Sequence, residues 1–309
     1  MNMTVALIST VYNEEASLTR WIEALKAQTA PPDEFVIVDG GSTDRTASRL
    51  REGFEAGNFP GPRVIVQRCN IAQGRNLAIR NTNAEIIVSI DAGSVPDKRW
   101  LEEIVKPFRE FQDVGAVGGW CPAVVGNAFQ KKLERYCDTP RDAIAVGGDC
   151  SPSSRNVAFR RTAWEAVGGY PEWLTLTGED WLFNASLHFI GARFFYQPSA
   201  MVTWEARPDL ASYLKMMRSY GYGCGELRIG AYQYSCWLAT TLIPPLILFS
   251  RNPAADIPLR YLRNASSAFG WIAGRFAGRK PPKNWKRIKG VWISPEAADV
   301  QRKPRTEVP

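Results

Sequence analysis

The feature that most constrains this chain is a repeat in its first 110 residues. Four short apolar runs are each followed by a polar turn and a stretch of helical spacing. The runs are Val5-Ala6-Leu7-Ile8-Ser9, Phe35-Val36-Ile37-Val38, Val64-Ile65-Val66 and Ile86-Ile87-Val88-Ser89-Ile90. Runs this short and uncharged suit strands buried on both faces, as parallel strands are. Leu18, Trp21, Ile22 and Leu25 recur at helical spacing after the first run, with Asn13 as a candidate N-cap and Glu14 and Glu15 in the first turn. Further helices are expected from the Gly40-Gly41-Ser42-Thr43 turn to Leu50, from Ile71 to Ile79, and after Asp97 on the face Leu101, Ile104, Val105 and Phe108. A β-α repeat of this kind predicts an α/β fold with a mostly parallel central sheet flanked by helices. Ligands of such sheets bind beyond the carboxyl ends of the strands. Thr10 to Glu14, Asp39 and Asp91 stand at those ends.

With 309 residues and 45% hydrophobic content the chain can build a large core, so wholesale disorder is excluded. The single histidine, His188, excludes more. A site with several His ligands cannot form within one chain, and a Ser-His-Asp arrangement would have to use His188. It lies eight residues after Asp180 on one predicted helix, about 12 Å along the axis, and is read as a packing or helix-end residue. The six cysteines form no C-x-x-C pair and are read as small buried hydrophobes in a reducing compartment. The first ten residues read as the start of a strand rather than a secretory leader. There is no G-x-x-x-x-G-K-[ST], and Gly221-Tyr222-Gly223-Cys224-Gly225 fails the G-x-G-x-x-G spacing. A P-loop and a hydride-transfer fold are therefore unsupported.

What remains is a set of acids. Asp39 precedes Gly-Gly-Ser-Thr-Asp, Asp91 precedes Ala-Gly-Ser, and Glu179-Asp180 opens a predicted helix through His188. Singly, each can be a turn or a helix cap. Jointly they fall where one pocket would form, and Arg75, in a Gln73-Gly74-Arg75-Asn76 stretch read as a loop, adds a cation there. Acids with an arginine suit a ligand bearing ribose hydroxyls and a diphosphate. A strand over Asn156 to Phe159 and a helix from Thr162 to Val167 complete the pattern, beside a dense polar stretch around Ser151 to Arg155.

The segments VALISTVYNEEASL, FVIVDGGSTDRT, NIAQGRNLAI, IIVSIDAGSVPDKRWL, RNVAFRRTAWEAVGGYPE and LTGEDWLFNASL resemble those of the family 2 inverting glycosyltransferases of the GT-A fold, over roughly residues 4–190. The resemblance implies a nucleotide-diphosphate-sugar donor, UDP-sugar favoured, and attack by an acceptor hydroxyl with inversion. Carried over by position, Thr10, Tyr12 and Glu14 would line the nucleoside pocket. Asp39 would accept a hydrogen bond from the base, and Arg75 would reach the base or diphosphate. Asp180 matches the catalytic base, with Glu179 beside it as a second catalytic acid, and Trp181 falls on the acceptor side. Where related enzymes often carry a His before an acceptor-side loop, this chain departs with Trp204, read on the acceptor side either as stacking on a sugar face or as packing. Arg218 is a candidate for the leaving diphosphate. Asp91 matches the first acid of the Asp-x-Asp motif, near ribose and metal, but the second position is Gly93. Mg²⁺ or Mn²⁺ is thus expected to bind weakly, with Asp91 as its protein ligand, or to be replaced by Arg and Lys. Two rivals are a sugar nucleotidyltransferase, whose Gly-rich, Lys-bearing first loop is missing, and a sugar-nucleotide-binding homologue without catalysis, suggested by Gly93.

The net charge of +7 belongs to the end of the chain. Residues 251–309 hold 13 Lys+Arg and 4 Asp+Glu, leaving the first 250 residues at 25 − 27 = −2. Cys236 to Phe249 is apolar over 14 residues, too short to span a bilayer and interrupted by Pro244-Pro245. Such a segment is either a core helix or one lying in a membrane interface, and its basic flank of Arg251, Arg260 and Arg263 favours the second, with peripheral attachment to an anionic membrane surface on the cytoplasmic side. Tyr261, Phe269, Trp271, Phe276, Trp285 and Trp292 suit a lipid interface, and no nucleic acid partner is expected. The expected division is a GT-A-like catalytic domain over 1–230 and a membrane-associating extension over 231–309, weakly patterned after Arg279. The acceptor would be a growing polysaccharide, a glycolipid or a lipid-linked glycan.

Overall fold

A computed structural model describes residues 3–55, 59–137, 140–249 and 256–302. In chain order the strands of the main sheet are β1 (Val5–Val11), β2 (Glu34–Asp39), β3 (Arg63–Val66), β4 (Ile86–Ser89), β5 (Val95–Pro96), β6 (Val114–Trp120), β7 (Ala123–Val124), β8 (Val157–Arg160) and β9 (Arg193–Glu205). They run β3-β2-β1-β4-β8-β6-β9-β5, with β7 beside β9. The first four strands pair in parallel, as do β6 and β9, while β8 lies antiparallel between β4 and β6.

Alternation along β1 shows why its sequence is apolar at every position. Val5 and Leu7 enter one core with Phe35 and Ile37, and Ala6 and Ile8 enter the other with Val36 and Val38. The first core is covered by α1 (Leu18–Lys26), α2 (Thr46–Gly53) and, after α3 (Ile71–Arg80) on the opposite face, by α4 (Trp100–Glu110). The expected stripes are the buried ones: Leu18, Trp21, Ile22 and Leu25 on α1, and Leu101, Ile104, Val105 and Phe108 on α4. The remaining helices are α5 (Ala128–Cys137), α6 (Arg161–Ala166), α7 (Glu179–Phe189), α8 (Leu210–Leu227), α9 (Ala231–Leu242) and α10 (Ile257–Ala277). A hairpin, β10 (Lys286–Ile288) and β11 (Val291–Ile293), and α11 (Pro295–Val300) follow.

Several expectations are corrected. Asn13 does not cap α1, which begins at Leu18 after Ser17. Asn13 instead takes a left-handed backbone (φ 53°) and accepts a hydrogen bond on its side-chain oxygen from the Thr43 N–H at 2.9 Å. This leaves Glu14 in the connection beyond β1 rather than in a helical turn. Gln73 to Asn76 is not a loop but the interior of α3, whose start is closed by a reciprocal Asn70–Gln73 capping box. Of the five described cysteines, Cys150 is buried, Cys69, Cys121 and Cys224 are half-buried and Cys236 is exposed. The described residues after Arg279, 280–302, are structured, while the end of the weakly patterned stretch, 303–309, lies outside the described residues. Lys289 and Gly290, both at positive φ, form the two-residue loop that joins β10 to β11. Ile293 and Ala297 then enter the second core beside Phe183 and Leu187 of α7.

The apolar stretch from Cys236 divides at its prolines. α9 ends at Leu242, and Pro244–Phe249 form a short 3-10 helix. No helix among the described residues is long and apolar enough to cross a membrane. α10 packs so closely against α8 that the crossing has room only for glycine. A Cβ at Gly270 would stand 2.1 Å from the Arg218 carbonyl oxygen, and one at Gly221 would stand 2.1 Å from that of Ser267. The glycine-rich stretch that failed as a nucleotide motif is therefore half of a helix crossing.

Candidate active site

A cavity of about 500 Å³ opens beyond the carboxyl ends of β1, β2 and β4, where the fold predicts a ligand. Its floor requires a glycine. A Cβ at Gly74 would lie 2.9 Å from the Thr10 methyl and 3.5 Å from Val38, so only glycine lets α3 pack this closely on the strand ends. Thr10, Tyr12, Glu14, Asp91, Gly93 and Trp204 all line the cavity. Tyr12 is 60% exposed, a large ring left open to solvent at the mouth. Burial raises the Glu14 carboxyl above the ordinary glutamate value, against the opposing hydrogen bond from Ser17 and the field of Arg207.

Asp39 is fully buried at the end of β2, and its neighbours Val38 and Gly40 line the cavity. Its Oδ1 accepts from the N–H groups of Gly41 (2.9 Å) and Ser42 (2.7 Å), which fixes the turn. Its Oδ2 has no partner among the described residues. A buried acceptor left open costs stability unless a ligand or water satisfies it.

Arg75 is placed differently from the expectation. It is 2% exposed and does not line the cavity. From α3 its Nη1 reaches Glu179 Oε1 at 2.5 Å, and its Nη2 reaches Asp91 Oδ1 at 2.9 Å. Burial disfavours the charged guanidinium, but Glu179 and then Asp91 outweigh it and hold Arg75 above its ordinary value. Burial likewise raises Glu179 against the pull of Arg75. Arg75 thus ties the carboxylate after β4 to the first residue of α7. It reaches no open space where a base or diphosphate would lie.

This arrangement separates the two acids that begin α7. Glu179 is buried, paired with Arg75 and absent from the cavity lining, so it does not stand open to a substrate as the expected second catalytic acid would. Asp180, the next residue, is half-buried and outside the cavity lining, and its Oδ1 accepts from the adjacent Trp181 N–H at 2.7 Å. Tyr220 of α8, lifted by burial, feels both Arg155 and Asp180, which places all three in one neighbourhood. Trp181 stands 39% exposed beside Asp180, outside the cavity lining. Trp204 lines the cavity, donates its indole N–H to the Cys121 carbonyl at 3.2 Å, and has the Arg155 guanidinium 4.4 Å over its ring. One of its faces is therefore already covered.

Arg218 is a further correction. Its backbone lies at the α8–α10 crossing, its side chain is exposed, and it is absent from the cavity lining. Met216 is the α8 residue that reaches the cavity. The arginines that do line it are Arg155, before β8, and Arg207, after β9. The polar stretch ending at Arg155 was the only sequence signal for the first, and Arg207 carried none. His188 is remote from this chemistry, stacked on Phe194 at 4.0 Å.

As for a metal, Asp91 is the one carboxylate of the expected pair, and its Oδ1 already holds Arg75. Gly93 has φ +79°, a conformation that L side chains rarely adopt. No cluster of three or more His, Cys, Asp or Glu that could hold a metal occurs among the described residues. A divalent cation here would be held by Asp91 and would depend on the donor's phosphates for the rest of its shell.

A mostly parallel sheet with a cleft at its strand ends is the GT-A type of fold. The model of the family "Glycosyl transferase family 2" matches residues 6–196, and the chain belongs to that family. It is a glycosyltransferase. A dolichyl N-acetyl-α-D-glucosaminyl phosphate 3-β-D-2,3-diacetamido-2,3-dideoxy-β-D-glucuronosyltransferase of Methanococcus voltae is 22% identical over 252 residues, covering 76% of this chain and 77% of that one. The O-antigen chain rhamnosyltransferase RfbN of Salmonella typhimurium is 23% identical, covering 65% and 66%. The match to the probable glycosyltransferase YdaM of Bacillus subtilis, 25% identical, covers 66% of this chain but only 51% of that protein. Among solved structures, the mannosyltransferase PcManGT of Pyrobaculum calidifontis, in complex with GDP-Man and Mn²⁺, shares the fold with a TM-score of 0.61 at 19% identity, covering 90% and 88%. S. aureus TarS 1-349 in complex with UDP-GlcNAc superposes with a TM-score of 0.54 at 16% identity, covering 94% and 97%.

Proposed function

We propose that this glycosyltransferase moves a sugar, with inversion, from a nucleotide-diphosphate donor in the cleft to a hydroxyl of a glycan or lipid-linked acceptor, with Asp180 as the general base. The observation that carries this reading is the division between Glu179 and Asp180. One acid is buried against Arg75, and that anchor holds the other half-exposed at a helix start near the cleft-lining Arg155. A sugar hydroxyl is a poor nucleophile at neutral pH. As its oxygen bonds to the anomeric carbon, the bond from that carbon to the diphosphate oxygen breaks. The electron pair leaves with the diphosphate, and the hydroxyl proton passes to the Asp180 carboxylate. On the donor side, Asp39 Oδ2 would accept from the base, while Thr10, Tyr12 and Glu14 enclose the nucleoside. UDP-sugars are the favoured donors, and polysaccharide or lipid-linked glycan synthesis in the cell envelope is the setting. The activities of the Methanococcus and Salmonella relatives support this choice of acceptor class.

Asp180→Asn keeps the size of the side chain and removes its basicity. Transfer should fall by about 10²–10⁴-fold while binding of the donor nucleotide is unchanged. Equal transfer rates would remove Asp180 as the base. The anomeric configuration of the product, read by NMR, should be opposite to that of the donor.

The second part of the proposal is peripheral attachment to the cytoplasmic face of a membrane. Leu242 and Ile243 at the end of α9, Leu246, and Phe269 and Phe276 on α10 are exposed. Lys280, Lys283 and Lys286, also exposed, follow in the chain. The basis differs from the sequence reading in two respects. Arg260 is buried and donates to the Ile247 carbonyl, and Arg263 lies over Trp237, while Arg251 falls outside the described residues. Trp271, Trp285 and Trp292 also pack inward: Trp271 donates to the Ile229 carbonyl, Trp285 meets Trp173, and Trp292 donates to the Leu227 carbonyl.

A further inference from the structure

We infer that Arg155 and Arg207 are the pair that binds the donor's diphosphate, supplying in the protein itself the positive charge that a second motif carboxylate would have recruited as metal. The inference rests on the proposed nucleotide-diphosphate donor. Both guanidinium-bearing residues line the same cavity as Asp91 and Glu14, and they come from different segments, one before β8 and one after β9.

Their side chains are not tied into the fold as those of other arginines are, whether through backbone carbonyls, as at Arg160 and Arg161, or through carboxylates. Arg20, Arg45, Arg75, Arg99 and Arg193 each meet a carboxylate. Neither Arg155 nor Arg207 makes an ion pair among the described residues, although Glu14, Asp91 and Glu205 line the same cavity. Glu205 is already held by Arg20, and Asp91 by Arg75. Arg155 is also pre-positioned. The Trp204 ring takes the face of its guanidinium and Tyr220 shares a hydrogen bond with its edge, which fixes the fork while leaving its other N–H groups to donate. A planar fork held in this way matches two phosphate oxygens, and charge-assisted bonds of this kind are about twice as strong as neutral ones. Without such cations, a diphosphate would meet Glu14 and Asp91 with no compensating charge beyond one committed arginine.

The test is calorimetric binding of UDP, with uridine as the ligand that lacks the diphosphate, in EDTA and again with Mn²⁺. Wild type should bind UDP in EDTA. Arg155→Gln and Arg207→Gln should each weaken UDP by about tenfold or more and leave uridine unchanged. Arg155→Lys, which keeps charge but loses the fork and the stack, should fall between. Thermal melts establish that each variant is folded. Unchanged UDP affinity in both glutamine variants, or wild-type binding that requires Mn²⁺, overturns the assignment while leaving the donor reading intact. If wild type binds neither UDP, GDP nor dTDP under any of these conditions, the donor reading itself fails, and this inference fails with it.

Discussion

At the scale of the residue, the adjacent acids Glu179 and Asp180 have opposite environments and therefore different duties. Helical geometry rotates successive side chains by about 100°, so when Glu179 turns inward to Arg75, Asp180 must turn away from it. The consequence can be tested through Arg75. Its removal would leave Glu179 buried without a countercharge and Asp91 Oδ1 without its donor, the case in which losing one partner of a buried pair costs about 3–5 kcal/mol. Arg75→Ala should lose stability on that scale in urea unfolding. A double change of Arg75→Met with Glu179→Leu, which removes both charges, should recover much of it. A single variant as stable as wild type would show that the ion pair does not organise this site. The residue types at the strand ends were legible in the sequence because Asp39 and Asp91 each close an apolar run. Which acid of the 179–180 pair would be buried was not legible, since that depends on a partner 104 positions away. Arg155 and Arg207 escaped for the same reason: they meet only when β8 and β9 bring their flanks to one cavity.

At the scale of the element, long periodic segments announced themselves and short ones did not. α1 and α4 each carry four or more apolar residues on one face, enough to set a period, and they form close to where the spacing put them. β10 and β11 have three residues each and α11 six, so no period can be read from them. Their signal was turn chemistry at Lys289-Gly290 instead. The α8–α10 crossing was hidden because its glycines are scarce helix formers and read as breaks. In an isolated helix, Gly270→Ala would stabilise by about 1 kcal/mol. Here the new methyl would lie 2.1 Å from the Arg218 carbonyl oxygen and 3.1 Å from its Cα, and backbone cannot yield as a flexible side chain can. The sign should therefore reverse, with a loss of about 1–3 kcal/mol in chemical unfolding, as for overpacked cores. A stabilised Gly270→Ala would mean that the helices are farther apart than described.

At the scale of the whole molecule, charge and apolar exposure are both concentrated towards the chain's end, although this region is not a detached tail. Ile293 and Ala297 sit in the core beneath α7, and α10 is locked to α8, so deleting residues 236–309 would strip core material along with any membrane contact. Point changes at exposed positions separate the two effects. Leu242 is 71% exposed and Phe276 82%, so replacing both by serine should alter stability by no more than about 0.5 kcal/mol. If these residues enter a lipid interface, their loss removes buried apolar area at about 25 cal/mol per Å² and weakens attachment. Thirteen basic against four acidic residues after position 250 add attraction to anionic headgroups, a term that salt screens over about 10 Å at 0.1 M. The full chain should therefore co-sediment with vesicles containing phosphatidylserine, less with purely zwitterionic ones, and less again as salt rises. Leu242→Ser with Phe276→Ser should release it at every salt concentration while leaving the thermal melt in place. Sedimentation that ignores lipid charge, salt and both substitutions would refute the membrane-facing role of this surface and leave its exposed side chains as ordinary solvent contacts.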